Sequence, residues 1–328
     1  MSVGPTTSPT ELAADVLGHL ARRDEPLAPL TTYRVGGRAA LFVAARTVDD
    51  LVAVSRARRL SGLPVLVIGR GSNLLVADTG FTGIAVSTAG LEDRIDLAGA
   101  DRGADGGDEV IVTASSGISL PVLARRTVAV SLTGFEWAVG VPGSVGGGVR
   151  MNAGGHGSDM AACLVDVDLV DLDDPDAGLV RRPTSELGLR FRSSGLTDTQ
   201  VVVRARLTLR LGDRTASERE IAEIVRWRRE HQPGGQNCGS VFVNPVPGEV
   251  TAGALIDGLS LRGFTIGGAK VSEKHANFVV AEPGATASDV HAVIEQVRER
   301  VARDTGFALR SEVRLVGFDH PHETGGAV

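Results

Sequence analysis

Glycine is concentrated in two short segments, GRGSN at residues 69–73 and GVPGSVGGG at residues 140–148. The chain holds 42 glycines in 328 residues, about twice the usual level of roughly 7%, without the three-residue period of collagen. The main chain must therefore turn tightly, or approach another group closely, at both segments. Neither segment matches a Walker loop or the six-residue dinucleotide fingerprint. Each alone is typical of a structural turn, but together they favour a diphosphate cradle spread over two loops.

Length and charge limit the possible partners. A chain of 328 residues predicts about two domains and a core large enough to need no disulfide or metal. Forty acidic against 34 basic side chains give a net charge of −6, which argues against binding to nucleic acid or to an anionic membrane surface. An anionic ligand would have to be held by a local cluster of donors.

Cysteine usage and hydropathy indicate the compartment. Cys163 and Cys238 lack CxxC or CxxH spacing, which favours a reduced cytosolic interior over a disulfide or a zinc site. The N-terminal residues show no basic segment followed by an apolar one, so no signal peptide is predicted. The stretch 127–149 has no basic residue but contains Glu136, Pro142 and six glycines, which argues against a membrane-spanning helix there. We expect a soluble cytoplasmic protein without a metal.

Periodicity and turn residues predict strands near 40–44, 64–69 and 110–114, and helices over 47–61 and near 120–130. Capping residues predict three helix starts: Ser8 with Pro9 and Glu11, Ser217 with Glu220, and Thr286 with Asp289. The last helix presents one apolar face, formed by Val290, Val293, Ile294, Val297 and Val301. The acidic, glycine-rich segment 93–110 predicts a hairpin tip. Strands dominate residues 165–211 and mixed elements follow, which places a domain boundary near residue 212.

Seven segments carry a resemblance to a known family: TTYRVGG at 31–37, GRGSN at 69–73, GFEWAVGVPGSVGGGVRMNAGGHG at 134–157, FRSS at 191–194, NCGSVFVNP at 237–245, GGAKVSEKHANFVV at 267–280 and SEVRLVG at 311–317. In this order the chain resembles the UDP-N-acetylenolpyruvoylglucosamine reductase family, the flavin enzymes of peptidoglycan precursor synthesis. Individually the segments are weak signals, but as an ordered set they are specific. Only 47 residues separate Arg192 from Ser240, so the chain resembles the shorter, second type of the family.

The resemblance implies an α+β fold. It consists of a two-lobed FAD-binding region of the PCMH or vanillyl-alcohol-oxidase type, followed by a smaller α+β substrate-binding domain. The expected order is an N-terminal helix at 1–27, an FAD-binding region at 28–212 with lobes at 28–90 and 91–212, a substrate domain at 213–318 and a tail at 319–328. The tail sequence DHPHE at 319–323 is expected to be a solvated terminus rather than a metal site.

Reducing an enol ether that bears a carboxylate requires a hydride, a group that stabilises the charge developing on the carboxylate, and a proton. A flavin supplies only the hydride. By resemblance, Arg192 and Glu312 stabilise the developing charge and Ser240 donates the proton. Glu312 could act protonated, through a hydrogen bond, or ionised, by orienting Arg192. The implied cofactors are non-covalent FAD and NADPH as electron donor.

The resemblance also assigns ligand-binding residues. The expected FAD contacts are Arg34, Gly69, Arg70, Gly71, Ser72, Asn73, Leu74, Gly140, Pro142, Gly143, Ser144, Gly146, Gly147, Asn152 and Gly154. The expected contacts to the UDP-sugar are Asn244, Arg314 and His231. Lys274 and His275 match a family segment but are expected to be structural.

Three positions depart from the family pattern. Phe191 stands where a tyrosine commonly precedes the arginine, Val243 where a basic residue is frequent, and His156 where an aromatic ring is usual. None of these departures affects the group expected to supply the hydride, to stabilise the developing charge or to donate the proton.

Two other functions stay open: a flavin oxidase with the same cofactor fold acting on another alcohol or sugar, and a non-catalytic nucleotide-sugar-binding protein. A monomer is among the assemblies that the sequence allows.

Overall fold

The computed structural model describes residues 8–92, 94–97 and 108–318. The expected tail at 319–328, the start of the N-terminal range at 1–7 and most of the expected hairpin tip, residues 93 and 98–107, lie outside the described residues. Contacts divide the chain into two units. The first unit is formed by the described residues of Met1–Glu25, Ala40–Ser72 and Thr82–Gln232, and the second by those of Pro26–Ala39, Asn73–Phe81 and Pro233–Val328. The domain boundaries expected from sequence stay predictions.

The described chain contains both helices and strands, with runs of consecutive strands from β3 to β7 and from β14 to β16. The helices are α1 (Pro9–Leu17), α2 (Val48–Ser61), α3 (Leu120–Ala129), α4 (Val145–Arg150), α5 (Arg214–His231), α6 (Ala252–Gly258) and α7 (Ala287–Thr305). The strands are β1 (Arg22–Pro26), β2 (Arg38–Ala44), β3 (Val65–Ile68), β4 (Leu74–Val76), β5 (Phe81–Ser87), β6 (Ile95–Asp96), β7 (Glu109–Ser115), β8 (Leu132–Thr133), β9 (Gly154–Gly155), β10 (Ser158–Asp159), β11 (Leu164–Asp171), β12 (Leu179–Pro183), β13 (Gln200–Leu211), β14 (Thr265–Ile266), β15 (Ala269–Val271), β16 (Val279–Ala281) and β17 (Arg314–Val316).

The described residues of the first unit contain two larger sheets and the two-stranded hairpin β9–β10. One has the order β1-β2-β5-β3, and its β3 and β5 run parallel. The other is antiparallel, with the order β12-β11-β13-β7-β6 and with β8 paired to one end of β13. The side chains of Leu51 and Val54 on α2 are buried against the first sheet, and those of Leu120 and Leu123 on α3 belong to the core beneath the second. The first glycine-rich loop, 69–73, follows β3 directly, and the second, 140–148, leads into the first turn of α4.

The second unit is built around α7. Its three-stranded sheet β14-β15-β16 packs on α7, and the apolar face predicted from sequence is buried at all five positions. The segment Asn73–Phe81 belongs to this unit for two reasons. Strand β4 pairs in parallel with β17, and the Asp78 carboxylate accepts hydrogen bonds from the main-chain N–H groups of Ala287 and Ser288 at 2.9 Å. Asp78 therefore caps α7 from a distant part of the sequence.

Two of the three predicted helix starts are confirmed. Ser8 caps α1 and Thr286 caps α7, where Asp289 completes a capping box. The expected start at Ser217 is wrong, because α5 begins three residues earlier with Asp213 as its cap. The sequence pattern misplaced the start because Ser217 is a capping residue type that is used for a different contact, a hydrogen bond to Glu136.

No helix in the described part of the chain combines the length and the apolar character needed to cross a membrane. Within the same residues, no three His, Cys, Asp or Glu side chains come together in a way that could hold a metal ion.

Glu136 is a buried carboxylate, 3% exposed, that ties α5 to the rest of the first unit. Its oxygens accept hydrogen bonds from Thr133 Oγ1 at 2.7 Å, from the Gly134 N–H at 2.7 Å and from Ser217 Oγ at 2.5 Å. Burial acts to raise the pKa of Glu136, but these hydrogen bonds outweigh it and hold the pKa below its ordinary value.

Replacing Glu136 by glutamine is expected to lower the free energy of unfolding by about 1–3 kcal/mol, because a donor NH₂ would face existing donors. The carboxylate contributes its stability fully above the unfolded-state pKa of about 4.3, and loses it as the pH falls through the lowered folded-state pKa. Urea unfolding at pH 7 and at pH 3 measures the effect, and the deficit of Glu136→Gln should shrink in acid. The matched control is Glu218→Gln, at an exposed position on α5; an equal loss there would contradict the assignment.

Candidate active site

The two glycine-rich loops contact each other within the first unit. Ser72 Oγ donates a hydrogen bond to the Pro142 carbonyl at 3.1 Å. A Cβ atom added at Gly69 would clash with Ser144 Oγ, and one added at Gly146 would lie 2.7 Å from Ser116 Cβ. Gly146 therefore needs glycine, because Ser116 approaches too closely for a side chain, whereas a side chain at Gly69 would have to displace the Ser144 hydroxyl.

The two loops offer different groups to a ligand. Within the described residues, the N–H groups of Gly69, Arg70, Gly71 and Ser72 donate to no protein acceptor. In the second loop, by contrast, the N–H groups of Val145, Gly146 and Gly148 already donate to main-chain carbonyls. The first loop thus has four adjacent N–H groups without a protein acceptor in the described chain, whereas the second loop uses at least three of its own within the protein.

Arg192 lies at the tip of a tight turn in the first unit. Arg190 and Ser193 exchange two main-chain hydrogen bonds, at 2.9 and 3.1 Å, and Arg192 takes a φ of +55° between them. Positive φ is uncommon for an arginine and costs about 1 kcal/mol or more. This backbone conformation, which glycine would adopt more easily, is kept at a residue that the sequence predicts to be catalytic.

The Arg192 side chain is held on both sides. Its Nη1 donates to the Gly154 carbonyl at 2.6 Å, and its guanidinium carbon lies 5.3 Å from the centre of the Phe191 ring. Phe191 is 61% exposed, so its ring remains available at the mouth of a cavity of about 400 Å³ that Arg192 also lines. Loss of the tyrosine hydroxyl at position 191 leaves this contact intact, since the ring face makes it.

The hairpin β9–β10 forms one wall of this cavity. The buried Asn152 fastens the hairpin, because its Nδ2 donates at 3.1 Å to both Asp159 Oδ2 and the Arg190 carbonyl, and its Oδ1 accepts from the Ala161 N–H at 2.9 Å. Both amide hydrogens of Asn152 are therefore used within the protein. The His156 ring at the hairpin tip meets the Trp227 ring edge to face at 5.4 Å.

In the second unit, the main chain beside Ser240 is paired with the main chain at Glu312. The Glu312 N–H donates to the Val241 carbonyl at 2.7 Å, and the Val243 N–H donates to the Arg310 carbonyl at 3.0 Å. Asn73 Nδ2 donates to the Glu312 carbonyl at 2.8 Å. Ser240 and Glu312, both predicted to be catalytic and 72 positions apart in sequence, therefore lie on neighbouring extended segments.

Cys238 lies two residues before Ser240 and is buried. Burial raises the pKa of the Cys238 thiol to about 12, and the nearby Glu312 charge adds to the shift. The thiol stays protonated near neutral pH, so it is no nucleophile.

The comparisons with known proteins agree over nearly the whole chain. A family model described as UDP-N-acetylenolpyruvoylglucosamine reductase, C-terminal domain, matches residues 231–316, and one described as FAD binding domain matches residues 39–175. A UDP-N-acetylenolpyruvoylglucosamine reductase of Heliobacterium modesticaldum is 42% identical over 320 residues, 97% of each chain. The chain belongs to the UDP-N-acetylenolpyruvoylglucosamine reductase family.

Further matches agree with this family. The reductase of that name from Gloeobacter violaceus is 41% identical over 89% of this chain and 94% of the relative. The crystal structure of the Thermus caldophilus reductase matches with a TM-score of 0.74 at 30% identity and covers 90% of this chain and 98% of the other. The predicted α+β fold with an FAD-binding region, the predicted family and the predicted class of FAD-dependent oxidoreductase are confirmed. The residue assignments stay predictions.

The cradle fits the diphosphate of FAD, the cofactor of this reductase family. Four adjacent main-chain N–H groups, at residues 69–72, have no protein acceptor among the described residues, and Gly71 takes a φ of +60°; successive unused N–H groups in such a turn are the donors that loops offer to phosphates. The second loop lies so close to Ser116 that a Cβ added at Gly146 would be 2.7 Å from Ser116 Cβ. The exposed Arg70 adds a positive charge to the same loop.

Replacing Gly146 by alanine is expected to weaken FAD binding about 10- to 100-fold, because the new methyl group would push the second loop away from Ser116. Titration of apoprotein with FAD, followed by flavin fluorescence, gives the Kd. The matched control is Gly253→Ala on α6, where the nearest atom would be 3.6 Å away; its Kd should equal that of the wild type. An unchanged Kd for Gly146→Ala would show that the second loop is not part of the cofactor site.

The predicted site residues divide between the units. The first unit holds Arg192, His231 and the predicted FAD contacts from Gly69 to Ser72 and from Gly140 to Gly154; the second holds Ser240, Glu312, Asn244, Arg314, Arg34, Asn73 and Leu74. His231 Nδ1 lies 2.8 Å from the Trp227 carbonyl, so only a protonated ring would present a donor to a phosphate. Asn244 uses its Oδ1 to accept from the Ala252 N–H, which leaves its NH₂ group facing outward as a donor.

Sequence reasoning missed one residue of this arrangement, Asn277. It lies in the segment GGAKVSEKHANFVV, in which the family resemblance points only to Lys274 and His275. A buried amide flanked by Ala276 and Phe278 gives no signal in sequence that its side chain reaches another segment.

Proposed function

We propose that this protein reduces UDP-N-acetylenolpyruvoylglucosamine to UDP-N-acetylmuramate with NADPH as electron donor. The observation that carries the proposal is the 42% identity to a reductase of that name over 97% of both chains. The arrangement of the loops at Gly69 and Gly146 supports it, since they form a cradle that suits a diphosphate-bearing flavin.

FAD, when bound, supplies the hydride that the enolpyruvyl methylene carbon receives, after being reduced by NADPH. The protein supplies charge stabilisation and a proton. Arg192 stabilises the negative charge that develops on the substrate carboxylate, for which its planar, permanently charged guanidinium is suited. Its hydrogen bond to the Gly154 carbonyl fixes the guanidinium before substrate arrives.

Ser240 holds the proton that the carbon bearing the carboxylate takes up. A serine hydroxyl is a weak acid, so the receiving carbon must be strongly basic and the hydroxyl must be well placed. Main-chain pairing of Val241 with Glu312 supports such placement. Glu312 either donates a hydrogen bond to the intermediate or orients a cationic partner. For the UDP diphosphate, the proposed contacts are Asn244 and Arg314, with His231 when it is protonated.

We also propose that the enzyme works in the cytoplasm. Cys163 and Cys238 are both free and buried, as suits a reducing compartment. That the protein is a monomer stays a prediction.

The proposal is tested by incubating the purified protein with NADPH and UDP-N-acetylenolpyruvoylglucosamine in the absence of oxygen. Mass spectrometry should find one UDP-N-acetylmuramate formed per NADPH consumed. Rapid oxidation of the reduced protein by oxygen, with no effect of the enolpyruvyl substrate, would instead identify a flavin oxidase. Binding of a UDP-sugar by a protein without flavin would identify the non-catalytic alternative.

A further inference from the structure

Asn277 is a buried residue, 5% exposed, whose side chain bridges to another segment. Its Oδ1 accepts a hydrogen bond from the Phe242 N–H at 2.9 Å, and its Nδ2 donates to the Phe242 carbonyl at 2.8 Å. The side-chain amide therefore occupies both main-chain groups of one residue, as a neighbouring strand would. Phe242 lies two positions after Ser240.

The main chain of Asn277 extends the same contact. Its carbonyl accepts from the Val241 N–H at 2.9 Å, and the Val241 carbonyl in turn accepts from the Glu312 N–H at 2.7 Å. Asn277 is thus bonded directly to the two residues that follow Ser240, and through Val241 to the main chain at Glu312. The Asn277 N–H donates a hydrogen bond to His275 Nδ1 at 3.2 Å. This contact helps to hold the Asn277 main chain in place.

We propose that Asn277 is the positioning residue for Ser240 and Glu312, an inference that rests on the proposed function. The position requires one donor and one acceptor on a single planar group at this length. Aspartate, when ionised, offers two acceptors, and alanine offers neither. Without the amide, the Phe242 N–H and carbonyl would be buried without partners, and the segment carrying Ser240 would shift to satisfy them.

Asn277→Asp provides a variant whose hydrogen bonding can be switched. A carboxyl buried against the Phe242 carbonyl should have a raised pKa. In its neutral form it can donate to that carbonyl and accept from the Phe242 N–H, and so replace the asparagine; when ionised, it repels the carbonyl. The surrounding titratable groups, His275, Glu312 and Cys238, are common to the wild type, which is therefore measured over the same pH range.

The experiment follows the two half-reactions of the FAD-loaded enzyme separately by stopped-flow absorbance. At pH 8, Asn277→Asp should be reoxidised by UDP-N-acetylenolpyruvoylglucosamine about 10- to 100-fold more slowly than the wild type, with its reduction by NADPH unchanged. Relative to the wild type, the variant should recover at pH 5.5, whereas Asn277→Ala should not. A loss shared equally by both half-reactions, or no pH-dependent recovery, would overturn the positioning role.

Hydrogen exchange provides a readout that does not depend on catalysis. In Asn277→Asp at pH 8, the amides of Val241, Phe242 and Glu312 should exchange faster than in the wild type, and those of α7 should not. Unchanged exchange at these amides would overturn the inference even in an active enzyme. If the wild type is not reoxidised by the enolpyruvyl substrate, the proposed function fails, and the exchange result still decides whether Asn277 holds this segment.

Discussion

Replacing Ser240 by alanine is expected to leave a yellow protein that NADPH reduces normally but that its substrate barely reoxidises. Removing a positioned proton donor typically costs about 10²- to 10⁴-fold in rate, and hydride addition cannot be completed while the neighbouring carbon lacks a proton. FAD content and reduction by NADPH should not change, because both precede the step that Ser240 serves. Stopped-flow absorbance of the flavin measures the two half-reactions in one protein.

The matched control for Ser240 is Ser260→Ala, which removes an exposed hydroxyl elsewhere in the second unit. It should be reoxidised at the wild-type rate. Reoxidation of Ser240→Ala at that rate would show that the proton comes from another group, and the assignment of Ser240 would be lost.

Replacing Arg192 by lysine is expected to slow reoxidation by the substrate about 10²- to 10³-fold, as is usual when a donor that stabilises developing negative charge is removed. Lysine keeps the positive charge but lacks the planar fork that can bond to Gly154 and to a carboxylate at once. Both residues carry a Cβ atom at φ +55°, so the backbone strain is similar and the loss reports on the head group.

Arg190→Lys is the control for Arg192→Lys, because Arg190 lies in the same turn and its side chain is exposed. Rapid-reaction measurements should find its half-reactions unchanged. If Arg192→Lys were reoxidised as fast as Arg190→Lys and the wild type, the positive charge alone would be sufficient and the guanidinium geometry would not be needed.

Local signals in the sequence were sufficient where a helix is capped by its own residues. Thr286 and Asp289 lie three positions apart, and the side chain of each accepts a hydrogen bond from the other's main-chain N–H, so the start of α7 could be predicted. Ser217 looks like the same kind of signal. Its hydroxyl, however, bonds to Glu136, 81 positions earlier, and Asp213 takes over as cap. A pattern that is read locally cannot reveal a partner that only the folded chain brings near.

The candidate site shows the same division. Two glycine-rich loops could be predicted to share a ligand, because both contain the residues that a close main-chain approach requires. That the N–H groups of Val145, Gly146 and Gly148 are used on the carbonyls of residues 118, 116 and 144, while four adjacent N–H groups of the first loop have no protein acceptor in the part of the chain that the structure describes, could not be predicted. Asn277 could not be found for a related reason: its role is to satisfy the Phe242 main chain, 35 positions away.

The most direct measurement is an absorbance spectrum of the purified protein under nitrogen, recorded before NADPH, after one equivalent of NADPH, and after one equivalent of UDP-N-acetylenolpyruvoylglucosamine. We expect a flavin spectrum that NADPH bleaches and the enolpyruvyl substrate fully restores. A protein without flavin, or one whose colour returns only when air is admitted, would contradict the account.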